Sequence, residues 1–353
     1  MIYQLTEALT PGDAISSAVL AMDALMKTRG IPCGLFTGRG GDHCHAGAVS
    51  ADKMPGILQP EDRLFYQFST GSALNDFFAA QNCHRVIVYQ NVTPAAYFEP
   101  YDPILADRLR WGREQLREIV PTLDFAIASS AYSAEELRSL GCERVYVLSV
   151  PVDFSRYGGE ADGALKAKLS DGKKNILFVG RQAPNKCMED VLLFSDYYAC
   201  ASGDDCRVVL AGDRSLRSYA AKLDALPLTI EICNLGRISQ GQLRALYETA
   251  DLFLCMSEHE GFCVPLLESM HYGVPVLAYA AAAVPETLGE GGQLFVEKDF
   301  PAVAEKMYAL LHDEEVRDMT LSAQRKRLRE LSGEKVMERF SEILHTEGVW
   351  VKS

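Results

Sequence analysis

Several absences narrow the reading of this 353-residue chain before any motif is considered. It has no basic excess: 35 Lys and Arg stand against 48 Asp and Glu, a formal net charge of −13. The lack of a phosphate-neutralising cationic excess argues against nucleic acid as a partner. An uninterrupted apolar run of about 20 residues is also missing, which argues against a transmembrane span. The opening residues, Met1-Ile2-Tyr3-Gln4-Leu5, have neither the basic start nor the long apolar core of a secretory signal, so a cytoplasmic location is expected. No Cys-x-x-Cys occurs among the 10 cysteines. Cys83, Cys142, Cys200, Cys206, Cys233 and Cys255 are scattered singly, mostly in apolar runs, and read as small core residues in a reducing compartment. The one grouping that suggests a metal is Asp42-His43-Cys44-His45. It follows a Gly-rich lead-in, Gly38-Arg39-Gly40-Gly41, that reads as a loop, and no third and fourth ligands are suggested elsewhere, so no metal is expected.

What is present is ordinary in bulk and informative in pattern. Hydrophobic residues at 48% and charged residues at 24% are usual for a globular protein, and the length suits two domains of about 150–200 residues each. Short apolar runs alternate with longer helical patterns, the signature of parallel sheets with crossover helices. Strands are expected at 2–5, 64–68, 86–89, 125–128 and 145–148, with helices at 14–26, 103–120 and 134–140. Ser133-Ala134-Glu135-Glu136 has the form of a capping box and predicts a helix start there. A second series of strands is expected at 175–180, 207–211, 229–233, 251–256 and 274–278. Between the series, 153–174 is rich in Gly, Asp and Lys without a sustained apolar period and reads as a linker. The tail is helical by its leucine spacing, over 311–331 and 334–344. The expectation is therefore an α/β chain of two doubly wound, Rossmann-like domains facing a cleft: residues 1–165, residues 166–330, and a C-terminal helix over 331–353.

The most informative stretch is Glu260-Gly261-Phe262-Cys263-Val264-Pro265-Leu266-Leu267-Glu268. Two carboxylates bracket a Gly-containing turn and a helical run, between the strands expected at 251–256 and 274–278. A strand-to-helix loop offers unpaired backbone N–H groups to a phosphate or a developing oxyanion. Glu260 is placed in that loop and Glu268 about two turns into the helix. Acids there also complement the helix dipole by roughly 0.3–1 kcal/mol each, the alternative reading of the pair taken alone.

A second constellation opens the second series. Val179-Gly180-Arg181 ends a strand, and Gln182-Ala183-Pro184-Asn185-Lys186 leads into a helix, where ligands of open α/β sheets bind. Arg181 can grip phosphate oxygens as a fork and Lys186 adds a mobile point charge. Cations at a helix start are otherwise misplaced against its dipole, and a bound anion resolves that conflict. Ser239 with Gln242 forms a capping box after Leu235-Gly236-Arg237-Ile238, and Arg214 is a further loop-end cation of unassigned role. In the first half, Thr10-Pro11-Gly12-Asp13-Ala14-Ile15-Ser16 joins the first strand to the first helix. Gly12 there permits close backbone approach to a ligand, and Gly-Asp is equally a routine N-cap. Arg110, Arg113 and Arg117 share a helix face beside Trp111 and read two ways. They suit a membrane interface or lipid phosphate, or they form a solvated face salt-paired with Glu114 and Glu118.

The Glu-x7-Glu segment, its Glu-Gly-Phe turn, the Pro-Leu-Leu-Glu helix start, Gly273-Val274-Pro275-Val276 and Val284-Pro285-Glu286-Thr287 closely resemble retaining glycosyltransferases of family 4, which have the GT-B architecture. The Gly-Arg…Lys sequence resembles that family's diphosphate clamp. The Gly12-Asp13-Ala14 loop and the run Gln90-Asn91-Val92-Thr93-Pro94 resemble a bacterial surface-polysaccharide subgroup. The resemblance implies a cytoplasmic, peripherally membrane-associated enzyme that moves a hexose from a GDP- or UDP-hexose to a hydroxyl of a glycan or lipid-linked acceptor. It implies Arg181, Lys186 and Glu260 as catalytic residues and Glu268 on the ribose. Glu260 with Gly261, Phe262, Cys263 and Val264 would hold the sugar, and Arg237 and Ile238 would flank the base. Gly12, Asp13, Gln90 and Asn91 would complete the substrate site. It further implies a final helix that crosses back to the first domain, with Trp350 as an anchor. No two aspartates stand two residues apart, so the Asp-x-Asp metal arrangement of other transferases is missing and metal-independent transfer, with no cofactor, is expected. Gln90 stands where the subgroup usually has His. Glutamine hydrogen-bonds but cannot carry positive charge, so a nucleotide-sugar-binding partner without turnover and a GT-B epimerase remain as alternatives.

Overall fold

The computed structural model describes residues 1–10, 13–39 and 47–349. Its residues divide into two compact units: Met1–Ala96 with Ile104–Asp153 and Leu331–Ser353, and Tyr97–Pro103 with Phe154–Glu330. Each is built on one parallel sheet, whose strands need helical crossovers because a tight hairpin cannot join parallel neighbours.

The first unit has seven strands: β1 (Ile2–Ala8), β2 (Cys33–Arg39), β3 (Ala48–Ser50), β4 (Arg63–Phe68), β5 (His84–Tyr89), β6 (Phe125–Ala128) and β7 (Val145–Val147). They lie in the order β3-β2-β1-β4-β5-β6-β7. β1 is central, with Ile2 registered against Cys33 on one side and Arg63 on the other. Every residue of β6 is apolar and buried, as a strand covered on both faces requires. The C-terminal helix Gly333–Thr346 completes this unit. Its Val336, Phe340, Ile343 and Leu344 enter one apolar cluster with Ile2, Met22, Phe65, Val86 and Phe125. Phe340 meets Phe65 edge to face, ring centroids 6.3 Å apart. Trp350, Gly12 and the Asp42-His43-Cys44-His45 stretch lie outside the described residues.

The second unit carries β8 (Lys174–Val179), β9 (Cys206–Ala211), β10 (Glu231–Asn234), β11 (Leu252–Cys255), β12 (Val276–Tyr279) and β13 (Gln293–Phe295), in the order β10-β9-β8-β11-β12-β13. Strand order reverses between β8 and β11, which makes the carboxyl ends of those two strands the topological switch point of the sheet.

Several expectations need correction. The stretch read as a linker contains the helix Gly163–Leu169, capped by Asp162 and anchored by buried Leu165 and Leu169, and from Phe154 onward it belongs to the second unit. Gly38 and Arg39 end a strand instead of forming a loop. The helix expected from a box at Ser133 begins at Ala131, capped by Ser130 through the Ser133 amide. Ser133 is itself buried inside that helix. The short strands β3 and β13 were not expected from the sequence. The Ser239–Gln242 capping box is present in both directions. Among the described residues no helix is long and apolar enough to cross a membrane.

Phe340 is 1% exposed at the centre of the first unit's cluster. Phe340→Ala is expected to cost about 3–5 kcal/mol in urea-induced unfolding, against about 0.5 kcal/mol or less for the exposed Met319→Ala. Equal effects would show that the C-terminal helix does not contribute to that core.

Candidate functional site

The loop after β8 runs through Gly180 and Arg181 into a short 3-10 turn, Pro184–Lys186, and then the helix Met188–Ser202. Backbone bonds lace it to its neighbours: Gly180 N–H donates to Ala211 O at 2.9 Å, Gln182 N–H to Asp213 O at 2.8 Å, and Gly212 N–H to Gly236 O at 2.7 Å. Gly212 has φ of 135°, and a Cβ there would meet the Gly180 carbonyl oxygen at 1.9 Å. Only glycine permits so close an approach. Asn185 ties this loop to the one after β11. Its carbonyl accepts from Glu258 N–H at 3.0 Å, and its side-chain amide donates to His259 O at 3.0 Å.

That tie brings the two charges together. Lys186 Nζ lies 2.5 Å from Glu260 Oε2, with side chains 19% and 10% exposed. Burial disfavours the Lys186 charge, but Glu260 outweighs it and holds the ammonium above the ordinary lysine range. The Glu260 loop is braced from below: Glu260 O accepts from Ala283 N–H at 3.4 Å and Phe262 O accepts from the Thr287 hydroxyl. Cys263 takes a left-handed turn, φ 81°, and the helix Val264–His271 starts there with Pro265 in its first turn and no side-chain cap. Glu268 is the fifth residue of that helix, little more than one turn in, because the loop is longer than expected. It is buried, and its two oxygens accept from the hydroxyls of Tyr157 and, at 2.7 Å, Tyr247. Burial, then the Glu268 charge, pushes Tyr247 well above the ordinary phenol range, so that hydroxyl remains a donor.

The other expected residues are placed as follows. Arg181 is exposed, its guanidinium over the Phe98 ring at 5.9 Å, and among the described residues it pairs with no carboxylate. Arg237 Nε pairs with Asp213 at 3.0 Å and is largely exposed, while Ile238 is half-buried. Arg214 is held by Asp224 and by Ala220 O at 3.0 Å. In the first unit, Asp13 caps the helix Ala14–Thr28 by accepting from Ser16 N–H at 2.8 Å. Gln90 Nε2 donates to Gln67 Oε1 at 3.0 Å. Asn91 sits at φ 75° with Nδ2 donating to Ser133 Oγ at 3.1 Å. Arg110 pairs with Asp107 and Arg113 with Glu136. The structure thus unites Lys186 and Glu260, and places Glu268 on the same loop–helix unit. Three contributors were missed: Asn185, Tyr157 and Tyr247. Tyr157 is 111 positions from Glu268 and no local pattern could have connected them.

Removing the Tyr247 hydroxyl leaves a buried carboxylate oxygen short of a donor. Tyr247→Phe is expected to lower unfolding stability by about 1.5–3 kcal/mol, read from the urea midpoint at constant slope. An unchanged midpoint would mean that the Tyr247 hydroxyl has no part in holding Glu268.

Residues 164–327 match the family described as Glycosyl transferases group 1. The chain is 31% identical over 186 residues to a GDP-mannose-dependent alpha-mannosyltransferase of Mycolicibacterium smegmatis, covering 52% of this chain and 46% of that protein. It is 24% identical to O-antigen chain mannosyltransferase B of Escherichia coli, over 60% of this chain and 58% of that one. The chain spans about half the length of the first of these curated relatives. Among solved structures it is similar to Anabaena HepE in complex with UDP-glucose, TM-score 0.71 at 17% identity, covering 98% of this chain and 99% of that one. A sucrose-phosphate synthase from Thermosynechococcus elongatus gives a TM-score of 0.71 at 16% identity, covering 99% of each chain. The chain therefore has the α/β GT-B fold and resembles the family 4 glycosyltransferases, with its group 1 match lying in the second unit.

Proposed function

We propose that the chain transfers a hexose, with retention, from a GDP- or UDP-hexose to a hydroxyl of a glycan or lipid-linked acceptor in surface polysaccharide synthesis. The observation that carries this reading is the Lys186–Glu260 pair at the switch point of the second sheet, with Glu268 on the helix that follows. In this account the diphosphate displaces Glu260 from Lys186, and Arg181 adds a second cation from its exposed position. Glu260, so released, accepts hydrogen bonds from sugar hydroxyls. Glu268, oriented by two tyrosines, accepts from the ribose. Lys186, Arg181 and backbone amides at the Val264–His271 helix start neutralise the departing diphosphate, so transfer is metal-independent. The leaving phosphate accepts the acceptor's proton on the face from which it departs. Arg237 and Ile238 pack the base, and Asp13, Gln90 and Asn91 are assigned to substrate binding, with Gln90 where the subgroup positions the donor sugar. Peripheral contact with the inner face of a membrane brings a lipid-linked acceptor within reach. The mannosyltransferase relatives and the UDP-glucose complex of HepE support a nucleotide-sugar donor.

Binding and turnover are tested separately. A donor present at 100 times its Kd stabilises the protein by about 2.7 kcal/mol, so thermal shifts against GDP- and UDP-sugars should identify the nucleotide. Lys186→Met should weaken nucleoside-diphosphate affinity by roughly 10- to 150-fold, the value of about 1.5–3 kcal/mol in lost charged contacts. Unchanged affinity would remove Lys186 from the phosphate site.

With donor bound, Glu260→Gln should lower the rate of nucleoside-diphosphate release in the presence of acceptor by about 10²–10³-fold. Donor binding with no acceptor-dependent release in the wild type would favour the partner without turnover.

A further inference from the structure

Two cysteine thiols lie beside the Glu260 carboxylate, and neither thiol has a part in the transfer chemistry proposed above. Cys255 ends β11 and Cys263 forms the left-handed turn before the Val264–His271 helix. Their Sγ atoms and a Glu260 carboxylate oxygen all lie within 4.8 Å of one another. Tetrahedral zinc bonds thiolate at about 2.3 Å and carboxylate at about 2.0–2.2 Å, which spaces ligand atoms roughly 3.4–3.8 Å apart. The three groups therefore need to close by only about 1 Å to satisfy that geometry. The thiols are buried, at 1% and 8% exposure, while the partly open Lys186 and Glu260 side chains mark the route in. Lys186 holds Oε2 of Glu260, so a metal on this carboxylate competes with the ammonium.

We propose that Cys255, Cys263 and Glu260 form an inhibitory site for a thiophilic divalent cation, with zinc as its probe. Two Cys–SH groups exchange their protons for two S–Zn bonds, the protons pass to solvent, Glu260 supplies the third ligand and water the fourth. Affinity therefore rises with pH as the thiols become easier to deprotonate. Inhibition rests on the role given to Glu260 above; binding does not. A capture of Glu260 by metal leaves Lys186 without its counter-charge and the sugar without its acceptor. The neighbouring group Cys187, Asp190 and Glu258 has similar spacing but fewer thiols. Lys298 Nζ lies 2.6 Å from Asp190 and 2.8 Å from Glu258, and only one thiol is present. Soft-metal selectivity requires thiolates, so the first group is the stronger ligand set.

The test is direct titration of the reduced, metal-free full chain with Zn2+ and with Co2+ as its spectroscopic substitute. The expected result is one tight site per chain that releases about two protons. The Co2+ form should show a thiolate charge-transfer band and tetrahedral absorption. Cys255→Ser should weaken the site at least about tenfold and relieve zinc inhibition of nucleoside-diphosphate release, while Cys44→Ser should leave both unchanged. If Cys255→Ser unfolds, Cys263→Ser should show the same loss of affinity. The proposal is overturned if the tight site is lost in Cys44→Ser and kept in Cys255→Ser, or if no thiolate band forms. It is equally overturned if the treated chain becomes lighter by two hydrogens, which would identify a disulfide. Tight zinc binding in a chain without transfer activity would uphold this site and defeat the enzymatic reading instead.

Discussion

The contact between Lys186 and Glu260 is the constraint on which the rest of the second unit's chemistry depends. Two charges are held 2.5 Å apart at small exposure, where separating them leaves each uncompensated. Breaking such a pair by deleting one partner typically costs about 3–5 kcal/mol, yet the intact pair adds little net stability. Its presence is better explained by what it keeps ready. A cation and an acid that cancel each other form a site that an incoming anion can divide, taking the lysine and freeing the carboxylate. Asn185 fixes the register of the two loops so that the charges meet.

Around that pair the backbone is built for close approach and not for maximal stability. Gly212 allows the loops after β8 and β9 to touch. Cys187 and Cys263 occupy left-handed positions that side chains rarely adopt, each immediately before a helix. Strain of that kind, about 1–3 kcal/mol per residue, persists where surrounding bonds over-determine it. Here the Thr287–Phe262 and Ala283–Glu260 bonds do so. Glu268 is held differently, by two tyrosyl hydroxyls from distant parts of the unit, and its helix supplies only the direction of approach.

Much of this was legible in the residues. Continuous apolar runs such as Phe125–Ala128 and Leu252–Cys255 read directly as buried parallel strands, and the Glu-x7-Glu block located the loop and helix. The unread parts share a physical cause. The Gly163–Leu169 helix has only two inward leucines in a polar background, too few to establish a period. β2 contains two glycines, with the Gly34 backbone against the Tyr3 ring, and the Gly-rich stretch from Gly38 suggested a loop where Gly38 and Arg39 end the strand. Tyr157 and Tyr247 meet Glu268 only because the unit folds, and Tyr97–Pro103 joins the second unit although its sequence neighbours belong to the first. Such long-range partners leave no local pattern.

The central claim is most directly tested by a crystal structure of the full chain with a nucleoside diphosphate bound. The account requires phosphate oxygens within hydrogen-bonding distance of Lys186, Glu260 turned away from it, and the ribose hydroxyls on Glu268. A nucleotide seated elsewhere, with the Lys186–Glu260 pair still closed, would contradict it.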